Sequence, residues 1–300
     1  MAPSGPFSEV PTLHRSPIDG TDLAVFEALP SNGGAGDAGG RGAAHATEPA
    51  AQARPPLLLV HGATADHTTW RAVGPELARS RRVYAMDRRG RGASSDGPAY
   101  AIEREFEDIA AVAEALALEA AGPIDVAGHS YGGRCALGAS LRTPANRRVV
   151  VYEGAPVPAG MSYRPPGMVE AIRAALERGD GDAALATFLG GIVGMSEADL
   201  ERYRADPVWP VRVAAAPTIL REIEAEASAP ASLDALGPAT VPVLLVLGSL
   251  SRSPFRIGTE ALAGRLADAR VAVIEGAAHA AHHTHAAEFV ALVEEFLDRA

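Results

Sequence analysis

The sequence predicts an α/β fold: a mostly parallel central sheet flanked by helices, with a helical cap inserted into it. Three observations carry this. Short apolar runs such as Leu57-Leu58-Leu59-Val60 alternate with stretches of helical spacing, as in a parallel sheet covered on both faces. Residues 154–238 break that alternation and offer no strand. Between a β-prone stretch, Pro123-Ile124-Asp125-Val126, and a small-residue helical one from Arg134 lies Gly128-His129-Ser130-Tyr131-Gly132. A G-x-S-x-G between a strand and a helix reads as a nucleophile elbow, a turn too tight for large side chains on either side of the serine.

Taken in order, residues 12–29 read as a hairpin turning at Asp19-Gly20, with Leu23-Ala24-Val25-Phe26 in its second strand. Residues 30–56 hold almost no large apolar side chain and are expected to be a disordered insertion, since burial there cannot offset ordering entropy. Leu57–Val60 is a buried strand, followed by the turn His61-Gly62-Ala63-Thr64. A helix is expected over 70–78, a strand over 82–86, a turn-rich loop from Asp87 to Ser94 and a helix over 102–118. After the elbow comes a strand over 148–152 that ends at Glu153. In the cap, helices are expected over 166–178, 182–193, 197–204 and 211–227, the third opened by a capping box at Ser196 and Asp199. A strand over 241–247, a helix over 259–267, a strand over 270–274 and a helix over 289–297 complete the chain. The core is therefore 1–153 with 239–300, and the cap is 154–238.

Composition narrows the function. A net charge of −10 in 300 residues argues against nucleic acid and anionic membranes as partners. The single cysteine, Cys135, excludes an internal disulfide framework and reads as a buried structural thiol. The N-terminus shows no apolar signal region and no run is long enough to span a membrane, so a cytoplasmic protein is expected, as a monomer or homodimer acting on a small molecule. No cofactor is expected.

Ser130 needs a base. Active groups in parallel α/β folds gather at the carboxyl ends of strands, which selects His279, just past the last strand. His61 also ends a strand but runs straight into a tight turn, and His129 points away from its neighbour Ser130. The two oxyanion donors are expected to be the backbone N–H of Tyr131, directly after the serine, and that of Ala63. His279, His282, His283 and His285 invite a metal reading, but no carboxylate or cysteine lies among them. The last three are expected around the start of the final helix, neutral there, with Thr284 as a possible cap. No metal is expected.

These motifs together resemble the α/β-hydrolase superfamily, in its serine-nucleophile, helical-cap form. The matching residues are His61-Gly62, Asp87-x-Arg89-Gly90-x-Gly92-x-Ser94, Gly128-His129-Ser130-Tyr131-Gly132-Gly133 and Gly276-x-x-His279. The resemblance covers nearly everything from Leu57 and implies that Asp87, Arg89 and Arg91 fix a structural loop. It also exposes a departure. The family commonly carries its acid after the seventh strand, where this chain reads Gly248-Ser249-Leu250-Ser251-Arg252-Ser253-Pro254-Phe255, without a carboxylate. Some members carry it after the sixth strand, which here selects Glu153 and keeps the order nucleophile, acid, histidine. The alternatives are a Ser–His dyad or an acid borrowed from the cap.

The resemblance implies a serine hydrolase that cleaves a small or medium, mostly apolar ester or thioester through an acyl-enzyme. A serine rules against the aspartate-dependent dehalogenases and epoxide hydrolases. Two alternatives stand: non-ester chemistry on the same fold (a C–C bond hydrolase, a lyase or a cofactor-free peroxidase), or a non-catalytic small-molecule-binding protein. Cap residues Met161, Tyr163, Met168, Phe188, Leu189, Ile192, Met195 and Trp209 are mostly core, with Phe188 and Trp209 expected at the substrate. No basic cluster is visible in the cap, so a phosphorylated or strongly anionic substrate is not indicated.

Overall fold

A computed structural model describes residues 5–30 and 54–299. The insertion expected over 30–56 lies almost wholly outside the described residues. Eight strands form one sheet in the order β1-β2-β4-β3-β5-β6-β7-β8. The edge hairpin, β1 (Thr12–Arg15) and β2 (Asp22–Glu27), is antiparallel, and β2 runs antiparallel to β4 (Val83–Met86). Its turn holds Gly20 at φ +75°, the left-handed region that glycine enters at no steric cost.

All further pairings are parallel: β3 (Leu57–Val60) with β4 and β5 (Ile124–His129), then β6 (Asn146–Tyr152), β7 (Val243–Gly248) and β8 (Ala269–Ile274). Apolar side chains of β3 go alternately to the two faces. Leu58 and Val60 join a cluster with Phe106, Leu137 and Leu245, while Leu57 and Leu59 join one with Trp70, Leu244 and Phe289. Burial on both faces is why the strand reads as an unbroken apolar run.

Helices α1 (Gly74–Leu77), α2 (Ile102–Glu119) and α3 (Tyr131–Ala139) belong to the core. The cap carries α4 (Met168–Glu177), α5 (Gly181–Phe188), α6 (Glu197–Arg204), α7 (Trp209–Ala214), α8 (Ile219–Glu226) and α9 (Leu233–Leu236). Its apolar residues form a third cluster that also takes in Leu247 and Phe255. After β7 come α10 (Ser253–Ala263), α11 (Ala281–Thr284) and α12 (Ala286–Leu297).

Several boundaries differ from the sequence reading. The helix expected over 211–227 is three pieces, because Pro217 cannot continue α7 and instead starts a 3-10 turn, Ala216–Thr218, before α8. The helix expected over 182–193 stops at Phe188 and continues as a π-helical turn, Leu189–Val193, across Gly190-Gly191. The helix over 259–267 begins earlier, at Ser253, with Pro254 in its first turn. Over 70–78 a 3-10 turn, His67–Trp70, precedes α1. Thr284 does not cap the last helix; its hydroxyl turns to Ala280 O and His285 Nδ1, and His285 occupies the cap position.

Candidate active site

Ser130 stands between the end of β5 and the start of α3 at φ 54° and ψ −125°. A non-glycine residue held there is strained. The surroundings enforce it: Ser130 N–H donates to Tyr152 O at 2.7 Å, and its carbonyl accepts from Gly133 and Arg134. Gly128 and Gly133 approach so closely that a Cβ on Gly128 would lie 2.6 Å from Gly133 Cα. The motif's glycines are thus required by contact as well as by turn geometry. Glu153 (φ 49°) and Thr64 (φ 58°) share the left-handed conformation, so three of the four such non-glycine residues among the described residues ring this site.

Glu153 and His279 come together from the ends of β6 and β8. His279 Nδ1 lies 2.6 Å from Glu153 Oε2, both groups being buried. A carboxylate only accepts, so Nδ1 carries the proton and Nε2 is left as the imidazole's acceptor. The other carboxylate oxygen, Oε1, accepts from Gly248 N–H at 2.8 Å and from the Ser251 hydroxyl. The loop that lacks an acid therefore supplies donors to the acid next door. Tyr152 fixes the turn that carries His279: its hydroxyl donates to Ala278 O and accepts from Ala281 N–H at 2.8 Å.

The neighbouring histidines have separate tasks. His129 Nε2 donates to the His279 carbonyl at 2.8 Å, so its ring points away from Ser130 and braces the His279 backbone. His61 accepts Arg88 N–H on Nε2 at 3.0 Å and donates from Nδ1 to Gly62 O at 2.8 Å, which ties the β3 turn to the β4 turn. Burial pushes both rings well below their usual pKa, helped by His279 at His129 and by Arg88 at His61. Among the described residues no three His, Cys, Asp or Glu side chains converge as a metal site needs.

Two spaces flank this group. A narrow cleft of about 30 Å³ is lined by Ser130, Ala63, Tyr131, Phe188, Ile219 and Phe255, among others. Tyr131 is the first residue of α3, so its N–H has no intrahelical acceptor. A cavity of about 560 Å³ lies against His129 and His279 on one side and Leu189, Val193 and Met195 on the other. Phe188 thus lines the cleft beside Ser130. Trp209 lines neither space: it is buried within the cap, its Nε1 donating to Asp182 Oδ1 at 2.7 Å and its ring meeting Tyr203 edge-on.

A sequence model of the alpha/beta hydrolase family matches residues 57–292. The chain belongs to that family. This alpha/beta hydrolase is 37% identical over 105 residues to the 2-hydroxy-6-oxo-2,4-heptadienoate hydrolase of Pseudomonas putida, covering 33% of this chain and 37% of that one. The match therefore spans well under half of that relative's length. It is 31% identical over 262 residues to the pimeloyl-(acyl-carrier protein) methyl ester esterase of Neisseria meningitidis, covering 81% of this chain and 92% of the relative. Among solved structures it is similar to an alpha/beta hydrolase from Sphaerobacter thermophilus, with TM-score 0.71 and 25% identity, covering 93% of this chain and 99% of that one. No described helix is long and apolar enough to cross a membrane.

The hydrolase also has site residues that its sequence did not announce. Arg88 is buried and reaches Glu105 Oε1 at 2.6 Å and Glu222 Oε1 at 2.7 Å, while Arg91 reaches the same Glu222 oxygen at 2.6 Å. Two core arginines thus clasp α8 of the cap, and Arg88 lies over the Tyr131 ring at 4.9 Å. Burial alone would raise the Glu222 carboxyl; Arg91 and Arg88 outweigh it and hold it below its usual value. Arg91 therefore does more than fix its own loop, whereas Asp87 and Arg89 are internal to the core. Asp87 accepts from His67 and Ala93 N–H groups, and Arg89 pairs with both oxygens of Asp108 at 2.7 and 2.9 Å. Arg252 donates to the carbonyls of Tyr163, Gly191 and Ile192, pinning the π-helical turn over the site.

Proposed function

We propose that this hydrolase cleaves a carboxylic ester or thioester through an acyl-enzyme on Ser130, with His279 as general base and Glu153 as the acid that orients it. The observation that carries this reading is the His279–Glu153 contact, made by residues at two strand ends beside the strained Ser130. His279 Nε2 takes the Ser130 proton as Oγ attacks the acyl carbon. Glu153 holds the imidazole in the tautomer that can do so and stabilises the imidazolium that forms. The backbone N–H groups of Tyr131 and Ala63 face the developing oxyanion, each worth about 3 kcal/mol of barrier in comparable sites. The imidazolium then protonates the leaving group, and water repeats the sequence to release the acid. The narrow cleft beside Ser130 supports a short acyl chain.

The methyl ester esterase relative, matched over most of both chains, supports ester cleavage. A second reading, attack on a non-ester bond, is favoured by the 2-hydroxy-6-oxo-2,4-heptadienoate hydrolase relative, over a third of this chain. Hydrolysis of p-nitrophenyl esters of increasing acyl length separates the two, with Ser130→Ala as blank. Turnover highest for acetate and lost in the variant is expected. Absence of turnover above the blank for every chain length would discard the ester reading.

A further inference from the structure

The cavity beside His279 carries cations that no single segment of the sequence displays. Arg71 from the loop before α1, Arg202 from α6 and Arg212 from α7 all line it. The carboxylates there are engaged: Asp199 with Arg202 and the Ser196 hydroxyl, Asp206 with Arg71 at 3.5 Å and with Val208 N–H at 2.9 Å. Arg212 differs. It makes no ion pair with any described carboxylate, and its guanidinium rests over the Tyr203 ring at 5.6 Å. It is half-buried. Its reach into the cavity shows in His283, which burial, Arg71 and Arg212 together hold down at about 4. His283 and His282 are thus neutral, and the one uncommitted charge in the cavity is positive. A single free guanidinium is consistent with the absence of a basic cluster in the cap's sequence and suits one carboxylate rather than a phosphate.

His279 forms the wall that this cavity shares with the reaction. In acyl transfer the imidazolium protonates the leaving group, so the leaving half of the substrate occupies the space against His279. The acyl half faces the narrow cleft at Ser130. We propose that Arg212, with Arg71 beside it, binds a carboxylate on the alcohol half of the substrate, and so selects esters with a short acyl group and an anionic leaving group. A planar guanidinium matches a carboxylate in a fork of two hydrogen bonds. The Leu189, Val193 and Met195 wall takes the apolar body between carboxylate and ester. The inference rests on the ester reading and states which ester.

The test compares the acetate ester of para-hydroxybenzoate with the acetate ester of its methyl ester. Wild-type protein should favour the carboxylate substrate in kcat/KM. Arg212→Gln should raise KM for that substrate about tenfold or more, leaving its kcat and both constants for the neutral substrate unchanged. Arg212→Lys should restore part of the affinity. An equal effect of Arg212→Gln on both esters, or a wild-type preference for the neutral one, overturns the proposal while leaving the ester reading intact. If neither ester turns over above the Ser130→Ala blank, the ester reading fails only when the p-nitrophenyl esters of every acyl length fail as well. Calorimetry with para-hydroxybenzoate then decides the subsite alone: binding to Ser130→Ala that is lost when Arg212→Gln is added supports it, and unchanged binding or none overturns it.

Discussion

Ser251 donates its hydroxyl to the carboxylate of Glu153. The two residues lie on adjacent loops, after β7 and β6, and the first of these loops carries no acid of its own. With Gly248 N–H on the same oxygen, the loop fixes Glu153 Oε1 and leaves Oε2 aimed at His279. The carboxylate follows one strand end and its support follows the next.

Glu153→Gln should keep the fold and lower kcat roughly a thousandfold or more, because an amide no longer enforces the imidazole tautomer. Ser251→Ala removes one supporting hydrogen bond and should lower kcat about fivefold. Steady-state kinetics on the best p-nitrophenyl ester measures both. Near wild-type turnover by Glu153→Gln would transfer the role to another group.

Acid should destabilise the fold through its histidines. Burial holds His61, His129 and His282 well below their usual pKa, and His283 at about 4. In the unfolded chain each titrates near 6.5. Between those values the unfolded chain binds protons that the native state refuses. The stability these residues contribute is therefore fully present above about pH 6.5 and is lost as pH falls toward 4, by up to about 1.4 kcal/mol per pH unit for each. Urea midpoints measured from about pH 7.5 down to 5 should fall, and His283→Gln should flatten the slope by nearly one proton. A flat profile in the wild type would contradict neutral burial of these rings.

Glu222→Ala should cost about 3–5 kcal/mol in urea unfolding, since Arg88 and Arg91 lose a shared buried partner. The cap should loosen with it, raising amide exchange in α8. A cost below about 1 kcal/mol would mean that water replaces the carboxylate freely.

Tyr152→Phe should cost about 1–2 kcal/mol by leaving Ala278 O and Ala281 N–H unpaired, and lower kcat by about tenfold through a looser His279 turn. Because Tyr152 acts through His279, KM should stay unchanged. A rise in KM at constant kcat would instead place Tyr152 against the substrate.

Local chemistry made much of this legible. Leu57–Val60 is buried on both faces and therefore reads as an apolar run, and Asp19-Gly20 turns the hairpin because glycine reaches φ +75°. Ser130 and His279 were readable at strand ends and Glu153 through the family resemblance, and the sheet sets all three at the carboxyl ends of β5, β8 and β6. What stayed hidden depends on distance along the chain. Arg88 meets Glu222 across 134 positions, and Arg71 and Arg212 meet only around a cavity. Trp209 read as a pocket aromatic because its partner Asp182, 27 positions away, gave no signal. Helix ends went astray where a single Pro217 or the Gly190-Gly191 pair redirected a pattern that periodicity alone would have continued.

The cap departs just after Glu153, at the end of β6, and the chain returns through β7, whose last residue, Gly248, grips the same carboxylate. The two strands that flank the excursion thus meet at one carboxylate of the core. The Glu153–His279 contact and its hydrogen-bonded supports draw on no residue of the cap. Any replacement for the cap must bring a counterpart of Glu222, without which the buried Arg91 would lose its carboxylate and Arg88 one of its two.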